Sequence, residues 1–117
     1  MAWGSKTAAD ATLTSITTEQ FFLWGGSDLI TLNPGETLHV QVKFNPPSSP
    51  TDHLVVSVYA TLDASSPTYD TTPFITFQID KSIDPNYASF LVTGVYGCRI
   101  GVKRSGTTDT ITDATCS

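Results

Sequence analysis

The hydrophobic pattern along this chain has a period of two. Leu38, Val40, Val42 and Phe44 alternate with His39, Gln41 and Lys43, which sends successive side chains to opposite faces and predicts a half-buried strand. Leu54, Val56, Val58, Ala60 and Leu62 repeat the pattern against Ser57, Tyr59 and Thr61, while Val55 adds an apolar side chain to the second face. That second face is therefore expected to be partly covered. Ile75, Phe77 and Ile79 alternate with Thr76 and Gln78, ASFLVTG and TTDTITDAT read as further short strands, and Cys98, Ile100 and Val102 share a face opposite Arg99 and Lys103. LTSITTEQFFLWGG, from Leu13 to a Gly-Gly break, holds one or two more strands of unclear register.

Turn chemistry separates these runs. Asn33-Pro34-Gly35-Glu36 places proline where φ must be near −65° and glycine where φ must be positive. NPPSSPTD, DASSPTYDTTP and DKSIDPNY are polar connections, several of them barred from a sheet ladder by proline. Seven to eight short strands at intervals of roughly ten residues, without a helical period, predict an all-β antiparallel sandwich, with a closed barrel as the competing architecture. Residues 1–12 carry one large apolar side chain after Met1, Trp3, and read as an N-terminal arm; residues 13–117 form a single domain.

Composition agrees with this and narrows the function. A chain of 117 residues buries enough surface to fold without metal or disulfide. Ser and Thr make up 31 positions, as suits the solvated face of a sheet. The net charge of −5, with only six Lys and Arg, argues against nucleic acid as a partner, because phosphate affinity rests on clustered basic residues. No apolar stretch reaches the length of a signal-peptide core or a membrane span, so the chain is expected to be made in a cytoplasm and to have no membrane partner.

Candidate chemistry is sparse. His39 lies on the polar face of its strand and His53 enters the next one beside Asp52, but neither has the ligand spacing of a metal site. No serine sits in a Gly-x-Ser-x-Gly elbow, and Gly94, Gly97 and Gly101 fall in strand-like sequence rather than a phosphate loop. DKSIDPNY lacks the glycine and closing glutamate of a calcium loop. The expectation is of no enzyme, no cofactor and no metal. Arg99, Lys103 and Arg104 hold half of the basic residues within six positions; with Trp3, they are the candidate subunit-interface residues. Trp24, closing an apolar run, reads as core.

Tyr96-Gly97-Cys98 leading into an alternating strand has the pattern of strand F in an immunoglobulin-type sandwich, with the tyrosine as a corner residue whose hydroxyl bonds back to the backbone. The matching strand B is Leu38 to Phe44, and it carries no cysteine. If the last two strands form a hairpin over Ser105 to Asp109, Cys98 faces Cys116 across it on the apolar face. Two buried thiols are then the expected state in a cytoplasm.

The segments LITLNPGETLHVQVKFNPP and YGCRIGVKRSGTTDTITDATCS resemble strands B and F–G of the small immunoglobulin-like domains of tailed-bacteriophage structural proteins, in particular head decoration (cement) proteins. The resemblance covers about a third of the chain. It implies a non-enzymatic virion protein that binds the exterior of an assembled capsid and braces the joints between capsomers. Its partners would be the major capsid protein and copies of itself, as a homotrimer. It supplies no site residues. Two alternatives stay open: another phage part such as a tail or fibre appendage, and a carbohydrate- or surface-binding module using Tyr59, Tyr69 and Tyr87 as an aromatic platform.

Overall fold

A computed structural model describes residues 9–10, 12–14, 16–46, 49–62, 68–83, 85–106 and 114–116. These form eight strands: β1 (Gln20–Phe21), β2 (Ile30–Thr31), β3 (Leu38–Phe44), β4 (Leu54–Thr61), β5 (Ile75–Ile79), β6 (Asn86–Val92), β7 (Gly97–Arg104) and β8 (Ala114–Cys116). They make two antiparallel sheets. One runs β1-β7-β4-β5 with β2 also on β7, and the other runs β6-β3-β8. The fold is an all-β sandwich.

The period-two faces meet between the sheets. Val40, Val42 and Phe44 from β3 pack with Val56 and Val58 from β4 and with Cys98, Ile100 and Val102 from β7. Phe22 and Ile16 complete the centre, both fully buried. Burial of these branched and aromatic side chains is the main favourable term, at roughly 1.5–3 kcal/mol each before entropy is set against it. The outer face of β4 is covered as well, since Val55, Ser57 and Thr61 are all buried. The Asn33 turn forms as the sequence requires: Glu36 N–H donates to the Asn33 carbonyl at 2.9 Å, Gly35 has φ of 78°, and the Glu36 carboxylate accepts from Asn33 N–H at 3.0 Å.

The fold corrects one expectation, that of the C-terminal hairpin. β8 pairs with β3, setting Cys116 opposite Val42, while both sides of β7 are taken, one by β4 and the other by β1 and β2. Ser105 N–H, at the exit of β7, donates to the His53 carbonyl at 2.9 Å, which ties the chain to the entry of β4. No edge of β7 is left for a returning strand. Cys98 and Cys116 therefore stand on different sheets, and Cys98 is a free, buried thiol. Burial pushes its pKa up to about 11. Pairing of β3 with β6 and of β4 with β7 matches the B–E and C–F pairs of an immunoglobulin-type sandwich, but the outer strands are exchanged: the first joins β7 and the last joins β3.

Part of the segment that precedes β1 is described. Ala9 packs against the core, and Asp10 is bonded into the domain: its N–H donates to the Leu23 carbonyl at 2.8 Å. Its carboxylate accepts from Gly25 N–H at 2.9 Å and from Gly26 N–H at 2.7 Å. Two amides converging on one carboxylate lower its pKa. They also hold the Trp24–Ser27 hairpin, in which Gly25 and Gly26 supply positive φ values of 61° and 81°. Leu13 then bridges to Ala114 on the smaller sheet before the chain crosses through Ile16 to reach β1 on the larger one. Of the residues read as an arm, 1–8 and 11 lie outside the described set.

Candidate functional site

Arg99 makes several side-chain contacts on the outer face of the larger sheet. It points outward from the middle of β7, directly across from Tyr59 on β4. Its guanidinium carbon lies 4.2 Å from the ring centre of Phe21, 4.5 Å from Tyr69 and 5.2 Å from Tyr59. Asp28 forms an ion pair with it at 3.7 Å. Phe21 and Tyr59 also meet edge to face at 5.8 Å, and the Tyr59 hydroxyl donates to Glu19 at 3.0 Å. A planar, weakly hydrated cation stacks well on aromatic faces, so one side chain clasps four chain segments to the outer face of the larger sheet.

Gly101 makes the clasp possible. It is the register partner of Phe21, and a Cβ there would lie 2.9 Å from both the Phe21 ring and the Glu19 carboxylate. Only a strand position without a side chain lets the ring lie flat on β7. Inside the clasp the Tyr69 hydroxyl and Arg99 Nε are closed off from solvent without a partner in hydrogen-bond geometry. Burial pushes the Tyr69 pKa up to about 12, with the negative charge of Asp28 adding to it. Burial also raises Tyr59, helped by its bond to Glu19.

The other sequence candidates lie elsewhere. Lys103 is exposed on the same face as Arg99, whereas Arg104 is half-buried and stands opposite Leu54. Trp3 lies outside the described residues. Trp24 packs against the core, edge to face with Phe22 at 6.3 Å. Tyr59 and Tyr69 do come together, but Tyr87 is on β6 of the other sheet, opposite Lys43, whose Nζ is 5.9 Å from its ring centre. The three tyrosines form no single platform.

His53, Asp52 and Ser105 are neighbours at the mouth of β4, in an arrangement unlike a nucleophilic triad. Ser105 Oγ accepts from the His53 backbone N–H at 2.8 Å, and His53 Nδ1 accepts from Lys81 N–H at 3.2 Å. A neutral His53 thus carries its proton on Nε2, the reverse of the tautomer a triad carboxylate holds. Asp52 is buried against Gly106, where a Cβ would meet its Oδ1 at 2.5 Å. Among the described residues no group of His, Cys, Asp and Glu is placed to hold a metal. An open notch of about 480 Å³ separates the Asn33–Glu36 turn from Gly94–Tyr96, and its carboxylate, Glu36, is committed to the turn.

The exposed apolar side chains are unevenly placed. Among the described residues the large ones are Leu23, Leu62, Phe74, Ile83, Tyr87 and Leu91, and four of these six lie between positions 74 and 91, on β6 and the connections flanking β5. Phe77 on β5 and Phe90 on β6 meet edge to face at 5.6 Å. β5 and β6 contain no charged residue. The sequence showed their alternation, yet which strands lie at an edge is a property of the sheet order. Comparison with family models, curated proteins and solved structures found no match.

Proposed function

We propose that this chain is a non-enzymatic virion structural protein, a capsid decoration subunit that binds the outer surface of an assembled head and braces contacts between capsomers. The observation that carries this reading is the exposure of Phe74 and Ile83 on the connections flanking β5, an uncharged edge strand. Large apolar side chains left exposed on a small domain are candidates for an interaction surface. A bracing protein needs a rigid scaffold with such a surface rather than a cleft, and many copies on a shell multiply a weak contact. The resemblance of the β3 and β7 segments to phage head proteins supplies the kind of partner. The Arg99 clasp supports the rigidity such a role requires.

The test is co-sedimentation of the purified protein with assembled phage heads. Binding should saturate, raise the temperature at which heads rupture, and fall at least tenfold when Phe74 and Ile83 are changed to lysine. Absence of binding to any assembled shell, alongside selective capture on a glycan array, would replace this reading with the surface-binding one. That second reading draws on the Phe21–Tyr59–Tyr69 cluster, whose ring faces are already engaged by Arg99.

A further inference from the structure

Sheet edges expose unpaired backbone groups that invite another strand, and natural proteins guard them with short strands, charges or coverings. Among the described residues most edges here are guarded. The outer side of β8 is bridged by Leu13 through hydrogen bonds of 2.9 and 3.2 Å, and β1 and β2 are two residues each. β6 is different. It has seven residues, pairs among the described residues with β3 alone, and holds neither charge nor proline. β5 is also an uncharged edge, but it is shorter, and its outward residues Thr76 and Gln78 are polar.

We propose that two copies of this chain associate through β6, strand to strand and antiparallel, about a twofold axis at Ser89. The outer face of β6 reads Tyr87, Ser89, Leu91, with Tyr87 and Leu91 53% and 56% exposed. Antiparallel pairing centred on Ser89 sets Tyr87 of each copy opposite Leu91 of the other. Two aromatic–aliphatic cross-strand pairs result, the kind of pair that stabilises a sheet. The two small sheets become one continuous sheet of six strands.

Charge points to the same occupant. A chain of net charge −5 repels its own copy over most of its surface, and β6 brings no like charges together. Neighbouring β3 places Lys43 beside Tyr87 and His39 beside Leu91, so the strand paired with β6 contributes no carboxylate. At about 3.4 Å per residue the contact is about 24 Å long, and with side chains it buries on the order of 1,000 Å², the lower end for a specific interface. The association is accordingly reversible and concentration-dependent. Its twofold symmetry differs from the threefold one that the phage resemblance implies, and it stands or falls independently of capsid binding.

Sedimentation equilibrium and directed cross-linking test it. The wild-type chain should show a monomer–dimer equilibrium. Leu91→Lys and Tyr87→Lys, both at exposed positions, should each weaken dimerisation at least tenfold while leaving the thermal melt in place. Ser89→Cys should form a disulfide-linked dimer on mild oxidation, whereas Lys103→Cys on the other sheet should not, with the wild-type chain as the background for Cys98 and Cys116. A strictly monomeric chain at about 1 mM, a mass of three copies, or a dimer indifferent to both lysine substitutions would overturn the proposal. So would a dimer in which Ser89→Cys fails to cross-link.

Discussion

Phe21 lies directly across from Gly101 in the β1–β7 register, and its ring occupies the space a Cβ at 101 would need, 2.9 Å away. The ring is also the nearest of the three that stack on Arg99. One missing side chain thus lets a two-residue strand carry an aromatic side chain onto the sheet face. Gly101→Ala is expected to force the ring off, at a cost of about 1–3 kcal/mol as in other overpacked sites. Denaturant unfolding measures this; a neutral effect would show that β1 shifts freely.

Arg99 is expected to act by shape as well as charge. Arg99→Lys keeps the cation but loses the planar group that lies against Phe21 and Tyr69, so it should destabilise by about 1–2 kcal/mol. Arg99→Ala should cost at least as much, since it also leaves Asp28 without its ion pair. If the lysine variant matched wild type, the interaction would be purely coulombic.

Asp10 connects the N-terminal segment to the Gly25–Gly26 turn. Asp10→Ala should lower the melt, because it removes the acceptor of the Gly25 and Gly26 amides. The carboxylate's pKa is depressed by the two amides, so its contribution is present above the ordinary Asp value near 3.9 and is lost as pH falls through the lowered one. An NMR titration of the Asp10 carboxyl, read with the Gly25 and Gly26 amide shifts, checks both the direction and the link.

Tyr69 predicts behaviour in alkali. Its folded pKa of about 12 exceeds its ordinary value of 10.0, so the unfolded chain loses this proton first. The stability it contributes is complete below pH 10 and disappears as pH rises through about 12. Tyr69→Phe should flatten the fall in denaturation midpoint over that window. Tyrosinate absorbance should show one fewer late-titrating group in the variant.

Much of the fold was legible along the chain. The alternations at Leu38–Phe44, Leu54–Thr61, Ile75–Ile79 and Gly97–Arg104 marked strands and inward faces, because side-chain direction in a strand depends only on parity. The Asn33–Glu36 turn was legible because proline and glycine restrict φ locally. Tyr59, Tyr69 and Arg99 were visible as residues, but their meeting was not, since they are brought together by pairing between segments up to 40 positions apart. Gly101 was the one local signal, a glycine inside a strand.

By itself, then, the sequence determined the longer strands, their inward faces and the turns that end them, all consequences of local sterics and of hydrophobic periodicity. The tertiary structure alone decided which edges pair. Any strand offers the same backbone donors and acceptors to any neighbour, so the assignment of β8 to β3, and of β1 and β2 to β7, depends on how the whole core packs. That choice separated Cys98 from Cys116, seated Phe21 on Gly101 under Arg99, and left the uncharged β6 as an open edge.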